Sequence, residues 1–157
     1  MKAIILAAGL GSRLNPVTNR LPKCMLEIGG QTIIERQLDS LIKLGVKDIA
    51  VVVGYLKEQI IERIGNKVEI IENKDYAKTN SSYSLWLARD FLNDSFIYLN
   101  SDLLFDIKIL EILMNSPFKN AMVLDKNINY SEDMFKAKLL DNKLVKLSKE
   151  MEVTSDV

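Results

Sequence analysis

A chain of 157 residues is long enough for one domain with a real hydrophobic core. Its 21 basic and 21 acidic side chains cancel, so no overall field steers it toward nucleic acid or an anionic membrane. With no histidine and only Cys24, the composition excludes a histidine triad, a histidine-ligated metal, an intrachain disulfide and a thiolate zinc cluster.

The first apolar run, Lys2 to Leu6, is too short to span a bilayer and reads as a buried strand rather than a signal sequence. The expectation is a cytoplasmic protein with no membrane insertion. Ile33, Ile34, Leu38, Leu41 and Ile42 follow helical spacing, and Gly45 stands where a C-terminal cap belongs. Ile49 to Val53 is a second apolar run, and Ile60, Ile61 and Ile64 mark a helix before Gly65. Val68 to Ile71 is a shorter strand candidate. Leu85, Leu87, Ala88, Phe91 and Leu92 form a further apolar face, and Phe96 to Leu99 a third apolar run. Ile107 to Met114 reads as a helix with Asp106 as N-cap, and Ala121 to Leu124 as another short strand. The three continuous runs fit strands buried on both faces of a parallel sheet. Alternating strand and helix up to about residue 124 predicts a doubly wound, mostly parallel α/β sheet with right-handed crossovers. Phe135 to Leu140 and Lys143 to Leu147 alternate around Asp141-Asn142, which predicts a C-terminal antiparallel hairpin. Residues 1–157 read as a single domain.

The sharpest local signal follows the first strand: Gly9-Leu10-Gly11-Ser12-Arg13-Leu14-Asn15-Pro16-Val17-Thr18, then Leu21-Pro22-Lys23. In an open α/β sheet, ligands bind beyond the carboxyl ends of the strands, which is where this loop lies. Glycines let backbone N–H groups turn toward an anion. Ser12 adds a hydroxyl, Arg13 a planar fork for phosphate oxygens, and Lys23 a mobile point charge. Such a loop suits a triphosphate. A dinucleotide fingerprint would need glycine where Leu14 stands, and a P-loop would need a Gly-Lys-Ser/Thr sequence that is missing. The competing structural reading is a tight surface turn with solvated basic residues.

The order Gly-x-Gly-Ser-Arg-x-x-Pro-x-Thr, then Pro-Lys, resembles the signature of the nucleoside-triphosphate transferase family, which includes sugar-1-phosphate nucleotidylyltransferases and bacterial choline-phosphate cytidylyltransferases. The resemblance starts at Met1 and covers essentially the whole chain, with falling specificity toward its end. It implies a Rossmann-like nucleotidyltransferase fold. It also implies that Leu6, Ala8 and Gly9 line the nucleobase and ribose, that Gly11, Ser12 and Arg13 hold the phosphates, and that Lys23 stabilises charge on the α-phosphate or acceptor phosphate.

Three later segments extend the site. Gly54-Tyr55 follows a strand end; such a pair is common in the cytidylyltransferase branch, while the plain reading is a strand-to-helix turn. Thr79 to Arg89 resembles the Asn-Asn-x-Tyr-Ser-Leu stretch of choline-phosphate cytidylyltransferase-like proteins, with Ser81 in place of the second asparagine. It makes Asn80 and Ser84 candidate nucleotide contacts, with helix capping as the alternative. Asp102 ends the strand from Phe96, and a carboxylate there is well placed to hold Mg²⁺. In the family this Asp ligates the metal, usually after glycine, where this chain has Ser101.

The resemblance implies transfer of NMP from an NTP, CTP favoured, to a small phosphorylated or phosphonate acceptor such as phosphocholine, with Arg13, Lys23 and Asp102 as catalytic residues. Tyr76, Tyr83, Trp86 and Tyr130 are the aromatic residues available to cage a choline ammonium. A second acidic metal ligand usually lies in the C-terminal part of the longer family members, and Asp156 is not a convincing substitute. A C-terminally shortened form is therefore expected. The alternatives are a sugar-1-phosphate nucleotidylyltransferase using UTP or dTTP, a non-catalytic nucleotide-binding subunit of the same fold, and an NAD-binding domain, which Leu14 disfavours.

Overall fold

The computed structural model of the protein describes residues 1–125, 131 and 134–151, so Tyr130 and Asp156 lie outside the described residues. The chain forms two compact units, Met1–Met114 and Asn115–Val157.

The first unit opens with β1 (Lys2–Ala7), followed by three single 3-10 turns at Ser12–Leu14, Val17–Asn19 and Lys23–Met25. Next come a minimal antiparallel pair, β2 (Glu27–Ile28) and β3 (Gln31–Thr32), and then α1 (Ile33–Lys43). The unit continues through β4 (Asp48–Val53), α2 (Lys57–Ile64), β5 (Glu69–Glu72), α3 (Ser81–Leu87), β6 (Phe96–Asn100) and α4 (Ile107–Met114). Strands β5, β4, β1 and β6 lie in that order in one parallel sheet, with Ile4 opposite Ala50 on one side and Tyr98 on the other.

Helices cover both faces, as the doubly wound reading predicts. On one face Ala3, Ile5, Ile49 and Val51 pack with Ile34, Leu38 and Leu41 of α1, Ile60 and Ile64 of α2, and Leu110 of α4. On the other, Ile4, Leu6, Ala8 and Val52 meet Ala88, with Leu85 and Leu92 beside it. Each large aliphatic side chain withdrawn from water in this way contributes about 1.5–3 kcal/mol. The ends of α1 are fixed locally. Thr32 and Glu35 form a reciprocal capping box at its start. At its end Gly45, at φ +81°, donates to Ile42 O, and Val46 donates to Leu41 O, each at 3.0 Å. Asp106 Oδ1 accepts from the Lys108 amide at 2.9 Å at the start of α4.

In the second unit β7 (Lys136–Leu140) and β8 (Lys143–Ser148) form the expected hairpin. Asp141 and Asn142 both take positive φ (49° and 60°), which matches the right-handed twist of the strands.

Two expectations need correction. Ala121–Leu124 is not a strand: it pairs with none of the described strands, and Met122 and Val123 are half exposed. An apolar run four residues long has no ladder of its own to close without a neighbouring edge. The strand from Phe96 is not buried on both faces either. Ile97 and Leu99 are buried, whereas Phe96 and Tyr98 are 43% and 39% exposed. Ile97 and Leu99 belong to the core on the α1 face, whereas Phe96 and Tyr98 point to the other face and belong to neither core cluster of the described residues. The apolar face after Ser81 also outlasts its helix: beyond Leu87 the chain continues in turns, from which Ala88 and Leu92 still pack on the sheet.

Candidate functional site

In strand order the chain moves outward from β1 to β4 and β5, then crosses back to β6. The order therefore reverses between β1 and β6, and a crevice opens at the carboxyl end of such a switch point. A cleft of about 460 Å³ lies there. Its walls come from the segments after β1, β5 and β6 and from the start of α3.

The loop after β1 is built around Gly11. Its φ of +67° is a left-handed conformation, and a Cβ there would stand 3.2 Å from Thr18 Cγ2 and 3.4 Å from Lys23 Cβ. Thr18, 1% exposed, donates its hydroxyl to Gly11 O at 2.9 Å, which ties the two ends of the turn together. The Tyr55 hydroxyl donates toward the Thr18 and Asn19 carbonyls at 3.1 and 3.0 Å, so the strand-to-helix junction after β4 braces the same loop. Leu6, Ala8, Gly9, Gly11, Ser12, Arg13 and Lys23 all line the cleft.

Gly54 differs from expectation. It does not line the cleft but sits behind its wall. A Cβ at Gly54 would lie 2.8 Å from Tyr76 Cβ and 2.9 Å from Ala8 O, two residues that do line it.

The wall after β5 turns on Asn73, which is 1% exposed. Its Nδ2 donates to Thr79 Oγ1 and Ser84 Oγ, both at 3.0 Å, and its Oδ1 accepts from the Asp75 amide at 3.0 Å. Asn80 caps α3 by accepting from the Tyr83 amide at 3.1 Å. Asn80 and Ser84 both line the cleft, so capping and exposure to a ligand coexist in this segment. Asn73 escaped sequence reasoning, although its place one residue past the carboxyl end of β5 is the signal that singled out Asp102.

Asp102 lies in a turn just beyond β6, held by Ser101 N donating to Leu6 O at 3.2 Å and Leu103 N donating to Asn100 O at 3.3 Å. Its Oδ2 receives the Lys23 ammonium at 2.5 Å, with both side chains a little over one third exposed. The nearest local consequence of this carboxylate is on its neighbours. Burial pushes the Cys24 thiol up to about 12, with its backbone hydrogen bond opposing and Asp102 adding to the rise. The Tyr98 hydroxyl is raised by burial first and by Asp102 second. Tyr98 donates to Asn100 Oδ1 at 2.7 Å beside the same turn.

Among the described residues Asp102 is the only acidic one lining the cleft. Among the described residues no three His, Cys, Asp or Glu side chains gather as a metal cage. One carboxylate facing a polar cleft still fits Mg²⁺, which is commonly held by one or two carboxylates together with substrate phosphates and water.

The described aromatic residues do not form one cage. Tyr76 lines the cleft and packs on Tyr55 at 6.2 Å between ring centroids. Tyr83 and Trp86 stack on each other at 5.6 Å, and the Arg89 guanidinium covers the Trp86 ring at 4.1 Å.

Comparison with known proteins agrees with this arrangement. The family model described as nucleotidyl transferase matches residues 2–133. Over 100 residues the chain is 44% identical to choline-phosphate cytidylyltransferase from Streptococcus pneumoniae, covering 62% of this chain and 43% of that protein. It is 31% identical to CTP:phosphoglutamine cytidylyltransferase from Campylobacter jejuni, covering 100% of this chain and 69% of the relative. Its fold superposes on the inositol-1-phosphate CTP transferase from T. maritima with a TM-score of 0.76 and 27% identity, over 97% of this chain and 65% of that one. The chain thus spans less than half of the pneumococcal relative and about two thirds of the other two.

Proposed function

This chain belongs to the nucleotidyl transferase family, and we propose that within it the protein is a cytidylyltransferase, moving CMP from CTP to a small phosphorylated or phosphonate acceptor with release of pyrophosphate. The observation that carries the reading is the cleft at the β1/β6 switch point, where the Gly11 turn, Arg13 and Lys23 face Asp102. The CTP-using character of the relatives supports the choice of nucleotide.

In the transfer, an acceptor oxygen attacks the α-phosphorus of CTP, the bond from that phosphorus to the bridging oxygen breaks, and pyrophosphate departs with the electron pair. An acceptor phosphate is already anionic, so no protein nucleophile or general base is required. Catalysis is positioning plus charge stabilisation. Leu6, Ala8 and Gly9 border the nucleoside, with Asn80 and Ser84 on the facing wall. Ser12 and the backbone of the Gly11 turn hold phosphate oxygens. Arg13 offsets charge on the leaving pyrophosphate, and Lys23 charge on the α-phosphate. Asp102 would hold Mg²⁺ together with the phosphates of the nucleotide, and the metal's chemistry there is neutralisation of phosphate charge. Lys23 leaves its contact with Asp102 as the nucleotide arrives, so one ammonium serves the ligand-free and ligand-bound cleft in turn.

The test is a calorimetric titration of the 157-residue chain with CTP, UTP, dTTP and ATP, each with and without Mg²⁺. Tightest binding of CTP in Mg²⁺ supports the proposal. Tighter UTP or dTTP binding moves the reading to sugar-1-phosphate transfer, and binding indifferent to Mg²⁺ removes the role given to Asp102.

A further inference from the structure

Gln37 is the one polar residue on the inner face of α1, beside Ile34, Leu38 and Leu41, and it is 1% exposed. Helical spacing alone asks for an apolar side chain there. Its amide nitrogen donates to Asn100 O at 3.0 Å and to Leu103 O at 2.8 Å. Its Oε1 is buried and meets no hydrogen-bond donor among the described residues. The orientation of the amide is fixed by this environment: reversed, its oxygen would face the two carbonyls. A buried amide that leaves one atom unsatisfied is a costly choice for mere space filling.

Only Ser101 and Asp102 lie between the two carbonyls that Gln37 grips. From this geometry we infer that Gln37 is a positioning residue: it clamps the turn after β6 so that the Asp102 carboxylate points at Lys23 and at the metal–phosphate end of the cleft. The inference rests on the transferase reading for its chemistry, though the clamp itself is a property of the fold. Both hydrogen bonds of the Gln37 amide go to the turn after β6, whereas the Gly11 turn is tied together by the Thr18 hydroxyl. Loss of the clamp therefore acts on the metal-dependent part of binding and spares the rest.

The test uses Gln37→Met, which keeps the volume and removes both donors, and Gln37→Glu, which sets a carboxylate against the two carbonyls until it is protonated. Two measurements are made on each 157-residue variant: amide hydrogen exchange across residues 100–103, and CTP affinity with and without Mg²⁺. For Gln37→Met, exchange at 100–103 accelerates at least tenfold while the sheet elsewhere is unchanged. CTP affinity without Mg²⁺ stays within about twofold of the parent, and the enhancement given by Mg²⁺ drops about tenfold. For Gln37→Glu, protection of 100–103, corrected for intrinsic rates, is greater at pH 5 than at pH 8, because the protonated acid regains a donor. Unchanged exchange at 100–103 in both variants overturns the inference, as does an equal loss of CTP affinity with and without Mg²⁺. A parent chain that binds no CTP refutes the transferase reading instead, and exchange at 100–103 then decides for or against the clamp by itself.

Discussion

Replacing Gly54 by alanine adds a single methyl group at the tightest point behind the cleft. The new Cβ would stand 2.8 Å from Tyr76 Cβ, 2.9 Å from Tyr76 Cγ and 2.9 Å from Ala8 O. Carbon atoms pack comfortably at about 3.5–4.0 Å, so each carbon contact is short by more than half an ångström. Tyr76 can yield by moving its ring. Ala8 O cannot yield cheaply, because it accepts the Tyr55 amide at 3.1 Å and follows directly on β1, which is paired on both sides. Overpacking of this kind costs about 1–3 kcal/mol, and the rigid backbone neighbour points to the upper end. With an unfolding entropy of about 2.1 cal/mol/K per residue over the first unit, that corresponds to a Tm roughly 10 °C lower. The assay is differential scanning calorimetry of Gly54→Ala, with Gly45→Ala as reference. Gly45 has φ +81° and nothing within 4 Å of its added Cβ, so that variant reports backbone strain without a clash. Because Tyr76 and Ala8 line the cleft, Gly54→Ala also weakens CTP binding about tenfold, whereas Gly45→Ala leaves it alone. A Gly54→Ala chain that melts within 2 °C of the parent and binds CTP equally would refute the argument.

Further outcomes follow from the same geometry. Lys23→Ala lowers Tm by no more than about 4 °C, since an ion pair this exposed is worth at most about 1 kcal/mol, yet it lowers CMP transfer by about 100-fold or more; thermal melts and pyrophosphate release measure the two effects. Glu35 is held down to about 2, first by its hydrogen bonds from Arg63, so its contribution is complete above its unfolded value of 4.5 and disappears as pH falls toward 2. Acid melts of Glu35→Gln should be flatter than those of the parent across that window, and identical slopes would reject the linkage. Cys24, 1% exposed and pushed up to about 12, should remain unreactive toward a disulfide reagent at pH 8 in the folded chain and react at once in denaturant. Rapid native-state labelling would contradict its burial.

The fold was legible where the sequence carries its own periodicity. The strand runs, the α1 pattern with Gly45 and the Asp141-Asn142 turn each encode a local geometry, and each is found. Ala121–Leu124 shows the limit, because a strand needs a neighbour and four residues cannot specify one. Phe96 and Tyr98 show another: an apolar side chain on a strand does not reveal whether a helix will cover it. In the cleft, the glycine turn was readable as a contiguous motif with a preceding strand. The Lys23–Asp102 contact joins residues 79 apart and has no local signal. Gln37 was invisible for the opposite reason, since a polar residue on an apolar helical face looks like a lapse in the pattern until the carbonyls it holds are seen. Gly54 looked like a ligand contact by its position past a strand end, while its lack of a side chain serves packing one layer behind.

β1 is hydrogen-bonded to β4 on one side and β6 on the other, and the Gly11 turn grows directly out of it. The ligand loop is thus anchored to the strand that can separate only when the sheet itself comes apart. Binding and cooperative unfolding therefore share one transition in the first unit. A ligand at one hundred times its Kd would stabilise that unit by about 2.7 kcal/mol, and a protease that cuts only the globally unfolded chain would slow in the same proportion. Resistance to digestion can then rank candidate nucleotides and acceptors without any turnover being observed.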